Sequence, residues 1–270
     1  MLAPALTRSH RGFFPFRLAA TSFVFPAGWA ENARLLGPVV DEIQLLLFES
    51  APASLPTPGE VEALAAVARD TGVGYSVHLP LDIFLGSVSK DVRKKGVDAI
   101  MRIVDATAVL HPRTHIVHLE CEADQKASGK IVPWQDNCRL SLEAIAKSSL
   151  SKDRLAVENL DYPFDWVSPL IADFGLKACI DVGHLVMEGI DPAVFLKANL
   201  HRAAMVHLYG NPDPGQHRHL ALGRIAPAVL ASWLAVLRDF KETVCLEVFN
   251  PVDLATSLTY LEDCWRGCRL

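Results

Sequence analysis

The sequence has six cysteines (Cys121, Cys138, Cys179, Cys245, Cys264 and Cys268) but no CxxC pair among them. A disulfide framework is therefore not expected. Cys179 and Cys245 lie inside apolar runs, where a free thiol behaves as a small hydrophobe, and a reducing cytoplasm is the expected setting. No GxGxxG or Walker-type loop follows any apolar run, so the common nucleotide-phosphate cradles are absent. No stretch approaches the roughly 18 apolar residues of a membrane span. His10, Arg11, Pro15 and Arg17 interrupt the N-terminus, which lacks the h-region of a secretory signal. A basic excess is missing too: Asp plus Glu is 31 against 26 Lys plus Arg, a net charge of −5, with the basic residues scattered. Phosphate-backbone binding normally shows a basic stripe. Nucleic acid is thus disfavoured as a partner, no membrane association is expected, and a small-molecule substrate is the expectation. Homo-oligomerisation is left open.

What is present is enough apolar material for one large core, 50% of 270 residues. Residues 1–16 read as a loose N-terminal extension with Pro and basic residues, and 17–270 as a single domain. In that domain, short β-rich runs alternate with helical patterns. The runs are RLAATSF (17–23), DEIQLLLFES (41–50), GYSVHLP (74–80), THIVHLE (114–120), RLAVENL (154–160), KACIDVGH (177–184), AAMVHLYG (203–210) and ETVCLEVF (242–249). Helices are expected near 29–37, 59–71, 89–109, 134–148, 165–174, 191–199, 225–239 and 252–265. Eight βα units about 30 residues apart imply a parallel sheet. Nearly every run ends in a polar group. A closed (β/α)8 TIM barrel gathers such ends into one ring, whereas an open sheet spreads them along an edge. The expected fold class is therefore an α/β single-domain TIM barrel.

Those polar ends are of metal-ligand type. Glu158, Asp181, His207 and Glu247 stand on runs five to eight and form a mixed carboxylate and imidazole set suited to one divalent cation. Singly, each is an ordinary strand terminus satisfied by a loop; four together are harder to bury without a cation. His78 and His118 either join Glu158 in a second metal site, with the carboxylate bridging two cations for hydrolysis, or contact substrate directly. His184, which is read as following a turn at Gly183, forms a third group with His217 and His219: zinc ligands, a proton relay, or a polar loop. Zn²⁺ or Mn²⁺, one to three per chain, heads the list of cofactors. Asn159 is expected to bind substrate or to support a ligand, since neighbours on a strand face opposite ways. Glu120, Asp82 and Asp161 are candidates for orienting the histidines. Phe48, Trp134, Tyr162, Trp166, Tyr209 and Phe249 are candidates for pocket walls, with Tyr209 a candidate substrate contact. The polar loops at 121–133 and 210–219 are placed to shape the site.

The series HLP, HLE, ENL, DVGH, H-x-Y-G, H-x-H-x-x-LG and LEVF resembles the xylose-isomerase-like barrel superfamily, which holds sugar isomerases and epimerases and the endonuclease IV type (AP endonuclease family 2). The resemblance covers almost the whole chain. The isomerase branch implies one metal on Glu158, Asp181, His207 and Glu247, with Glu158 and Glu247 as the catalytic pair that moves a proton between adjacent carbons. The endonuclease branch implies three zinc ions, on His78, His118 and Glu158; on Glu158, Asp181, His207 and Glu247; and on His184, His217 and His219. The sequence departs from that branch at His217, where the pattern has Asp, and it lacks basic DNA-gripping loops. At subfamily level, TSFVFPAGWAENARLLGPVVDEIQLLLFES, YSVHLPLDIFLGS and AVENLDYPF resemble the cobamide-remodelling phosphodiesterases of the CbiR type. That resemblance implies hydrolysis of a small organic phosphodiester, the nucleotide loop of a cobamide, by attack of metal-bound hydroxide. The alternative is a metal-dependent sugar or sugar-phosphate isomerase or epimerase.

Overall fold

Parallel strands cannot be joined by tight turns, and here each strand is followed by a helical return. The computed structural model describes residues 6, 8–122, 126, 131–147, 150–211 and 218–267. The strands are β1 (Arg17–Thr21), β2 (Glu42–Leu46), β3 (Gly74–His78), β4 (His115–Val117), β5 (Leu155–Glu158), β6 (Lys177–Asp181), β7 (Ala203–Leu208) and β8 (Thr243–Leu246). Each pairs with the next in parallel, and β8 returns to β1 through Arg17↔Thr243 to Ala20↔Leu246, so the barrel is closed. Its interior at mid-height is filled by Ala19, Ile116, Ala156, Cys179, Ala204, Met205 and Cys245, mostly small side chains. Alternate strand residues face outward into the larger core shared with the helices. Cys179 and Cys245 are thus small barrel fillers, and burial pushes both thiols up.

The helices are α1 (Trp29–Leu36), α2 (Pro58–Thr71), α3 (Lys90–Thr107), α4 (Ile131–Ala146), α5 (Ser168–Phe174), α6 (Val182–Met187), α7 (Pro192–Asn199), α8 (Pro227–Val236) and α9 (Pro251–Gly267). Their ends follow local chemistry. Thr57 and Glu60 form a reciprocal capping box at the start of α2, and Gly72 ends it with a left-handed φ of 72°. No helix among the described residues is long and apolar enough to cross a membrane.

Three expectations are corrected. The strands are shorter than the apolar runs, because the last residues of most runs leave the ladder to start the loops above the barrel. KACIDVGH does not turn at Gly183: α6 starts at Val182, with Asp181 as its cap, accepting a hydrogen bond from His184 N at 2.8 Å. The stretch from Arg8 to Phe16 is not loose. Phe14 and Phe16 stack on each other and meet Trp265 of α9 edge-on, and Arg8 pairs with buried Glu262 at 2.6 Å. Arg11 donates to the carbonyls of Gly37, Thr71 and Gly72, which gives those helix-end acceptors a partner. Residues 1–5 and 7 lie outside the described residues, as do 123–125, 127–130 and 212–217 of the two polar loops.

Candidate metal centre

Strand register brings the predicted ligands together. Leu46 pairs with His78 and Asp181 with His207, so these side chains share one interior level at the C-terminal ends of the strands. Glu158 closes β5 at the same end, while His118 and Glu247 each stand one residue beyond their strands. Glu158 is central. Its Oε2 lies 3.2 Å from His78 Nε2 and 3.2 Å from His118 Nε2, while Oε1 lies 3.2 Å from His207 Nδ1. The same Nδ1 is 3.1 Å from Glu247 Oε2 and 3.7 Å from Asp181 Oδ2. The ligand atoms of His78, His118 and Glu158 lie within 4.8 Å of one another, and so do those of Glu158, Asp181, His207 and Glu247. The two groups share Glu158, one oxygen facing each.

These residues fit divalent cations on two grounds. First, Asp181 Oδ1 accepts from Tyr209 Oη at 2.8 Å and from His184 N at 2.8 Å, whereas Oδ2 is buried without a hydrogen-bond donor among the described residues. A buried carboxylate oxygen of this kind is costly unless something positive faces it. Second, three buried carboxylates converge. Burial raises the Glu158 and Glu247 carboxyls, but the neighbouring imidazoles outweigh it, holding Glu158 well below its usual range and Glu247 at about 2. Burial lowers His118, yet Glu158 and Glu120 push it up to about 10; burial lowers His207 too, and the Glu247 and Glu158 carboxylates push it up. The field here favours positive charge at the point where the ligand atoms meet.

The supporting contacts sort the remaining candidates. Asn159 turns to the adjacent strand: its Oδ1 accepts from Asp181 N at 2.7 Å and its Nδ2 donates to Asp181 O at 3.0 Å, so it holds the Asp181 backbone. Tyr209 is buried with its hydroxyl on Asp181, and its ring lies against Gly183, where an added Cβ would come within 2.2 Å of it. That close approach is why the DVGH sequence carries a glycine. Glu120 Oε1 is 3.1 Å from His118 Nδ1 and orients it, and His78 Nδ1 is 2.9 Å from Leu79 O. Asp82 instead accepts from Ser50, and Asp161 from Lys126. Trp134 and Tyr162 donate to the Glu120 and Leu119 carbonyls and brace the segment that follows His118. His184 and His219 reach the same cavity, the His219 ring lying against Tyr209 with centroids 4.1 Å apart and the planes tilted by 32°. His217 lies outside the described residues; the remaining candidate group among the described ones is Glu158, Cys179 and His207, and none includes His184 or His219.

The cavity holds about 170 Å³ and is lined by the imidazoles and carboxylates together with Leu46, Leu47, Phe48, Leu81 and Phe249. The lining therefore combines ligand-type side chains with an apolar set. Phe48 extends that set to Phe23, the two rings meeting edge to face at 4.9 Å, both substantially exposed. Sequence reasoning missed Gln44, which is fully buried on β2 with its amide 2.9 Å from His207 Nε2. The available signal was a polar residue at every second position of EIQL, on the interior face.

The profile of the xylose isomerase-like TIM barrel family matches residues 32–264. The chain belongs to that family. Solved structures agree on the fold. A D-tagatose 3-epimerase-like protein superposes with a TM-score of 0.76 at 18% identity, covering 94% of this chain and 98% of its own. Endonuclease IV from Thermus thermophilus gives 0.68 at 21%, covering 92% and 99%. An L-ribulose 3-epimerase gives 0.69 at 16%, covering 94% and 96%. No curated protein matches the chain at the sequence level. The family's neighbours are thus enzymes of two chemistries, epimerisation and phosphodiester cleavage.

Proposed function

We propose that this chain is a divalent-metal-dependent hydrolase of a small organic phosphodiester. The observation that carries the reading is the split engagement of Glu158, with Oε2 facing His78 and His118 and Oε1 facing His207. Divalent cations bound by these residues would supply charge neutralisation and an activated water for phosphodiester hydrolysis. His78, His118 and Glu158 would hold one cation; Glu158, Asp181, His207 and Glu247 would hold the other. Tyr209 and Asn159 keep Asp181 in place, and Glu120 keeps His118 in place. The apolar lining from Leu46 to Phe249 keeps water from the reacting centre and receives the organic part of the substrate. The finer assignment, the nucleotide-loop phosphodiester of a cobamide, is supported by the resemblance over residues 21–50, 75–87 and 156–164, and by the exposed Phe23–Phe48 pair beside the cavity. With Cys121, Cys138, Cys179 and Cys245 buried as free thiols, a reducing cytoplasm is the proposed setting.

The test is hydrolysis of a cobamide and of bis(p-nitrophenyl) phosphate by the metal-loaded protein. His78→Ala and His118→Ala should each lower hydrolysis on the order of 100-fold or more while circular dichroism stays unchanged. Full activity in either variant would sink the two-cation version. A second reading, a sugar or sugar-phosphate epimerase, is favoured by a different observation: Glu158 and Glu247 both lie within 3.2 Å of His207 Nδ1, as a candidate acid–base pair on one metal. Turnover of a ketose in heavy water would then place deuterium on the substrate carbon, and absence of label would exclude it.

A further inference from the structure

We propose that Gln44 is the positioning residue for the His207 imidazole, acting as the hydrogen-bond acceptor that leaves His207 Nδ1 free to bind a cation. The inference rests on the metal-centre reading above but not on which reaction the centre performs. His207 presents Nδ1 to the carboxylates of Glu158, Glu247 and Asp181. A neutral imidazole that gives its Nδ1 lone pair to a cation carries its proton on Nε2, and that proton needs an acceptor. Two side chains stand at Nε2: Gln44, with Nε2 at 2.9 Å, and Cys179, with Sγ at 3.5 Å. The thiol is a weak acceptor.

Gln44 as placed sets nitrogen against nitrogen, while its Oε1 is buried without a hydrogen-bond partner among the described residues. The two ends of a carboxamide are close to isosteric, and their assignment follows from the hydrogen-bond network. A half-turn of the amide brings Oε1 to His207 Nε2 and makes an N–H···O bond, giving the orphaned oxygen a partner in the same step. Gln44 lies on the interior face of β2, paired with Thr21 of β1 and Ser76 of β3, and it is wholly inside the barrel. Its reach is fixed by the closed sheet, so the amide bears on the imidazole from below while the carboxylates bear on it from above.

Metal affinity and tautomer test this directly. Zinc binding is measured by competition with a chromophoric chelator, and the imidazole tautomer by ¹⁵N NMR of histidine in the zinc-loaded protein. Gln44→Leu keeps the volume and removes the acceptor; affinity should fall about 10- to 100-fold, the usual effect of losing such a partner. Gln44→Glu keeps an acceptor and should restore affinity to within a few-fold of the parent, with His207 protonated on Nε2. A merely structural role would lower thermal stability in both variants and leave both affinities equal to the parent, overturning the proposal. Should Gln44→Leu fail to fold, Gln44→Met is judged by the same two measurements. A parent protein that binds no zinc would overturn the metal centre itself and this assignment with it. An intact zinc affinity with no phosphodiesterase activity would leave the assignment standing and remove only the proposed reaction.

Discussion

Two buried glutamates stand at opposite ends of the same barrel, and their surroundings separate a candidate metal centre from a structural carboxylate. Glu158, at the C-terminal end of β5, meets three imidazoles at 3.2 Å, and its carboxyl is held well below the usual range. Glu42, at the start of β2, accepts from Thr243 Oγ1 at 3.2 Å and has the Arg17 and Arg113 guanidinium groups only at 3.6 Å, so burial wins and its carboxyl is pushed up. Volume does not mark the site: the hollow near Glu42, lined by Arg17, Arg113, Arg154, Lys177 and Glu242, holds about 610 Å³ against about 170 Å³ at Glu158. Convergence of ligand atoms marks it. Strand C-terminal ends carry chemistry in this fold, and N-terminal ends carry stability.

The largest expected effect is at Glu158. Glu158→Gln removes the charge shared by both groups and should lower hydrolysis on the order of 10³-fold or more and empty the centre of metal, read by rate and by metal content. An active, metal-replete variant would erase the contrast between the two ends. The next effect belongs to the structural end. His115, at the start of β4, is pushed down to about 4, chiefly by burial. Between pH 6.5 and about 4 the unfolded chain holds more protons at this position than the folded one, so stability falls as pH is lowered through that window. His115→Phe should flatten that limb of the urea-unfolding profile by on the order of 2–3 kcal/mol, leaving metal binding unchanged. Glu42 has the opposite sign. Its raised carboxyl contributes stability that is complete in acid and lost as pH rises through its folded value. Glu42→Gln should therefore gain relative to the parent at neutral pH and not in acid, with full activity. Loss of activity there would mean that the two ends are coupled.

Much of this was legible in the sequence because barrels convert order along the chain into order around a ring. Eight apolar runs, six of them carrying His, Asp or Glu at or near their ends, point to both the closed sheet and the candidate ligands, and Glu158, Asp181, His207, Glu247, His78 and His118 come together as the pattern predicts. The departures have physical causes. KACIDVGH reads as strand and turn because Asp181 is at once candidate ligand and helix cap, and six-residue α6 is too short for a 3.6-residue period to show. Gly183 carries no turn; it makes room for Tyr209. Gln44 was hidden because a polar residue within DEIQLLLF looks like an interruption of a core strand until the register places it beneath His207. The N-terminal stretch reads as a loose extension because the partner of Phe14 and Phe16, Trp265, lies some 250 residues away.

The central claim is that Glu158 joins two cation sites, and a metal count on protein purified without chelator tests it most directly. The account predicts two or three divalent ions per chain by plasma mass spectrometry, with His78→Ala/His118→Ala reducing the count by one. A single ion per chain in the parent, unchanged in the double variant, would contradict it and leave His78 and His118 as substrate contacts.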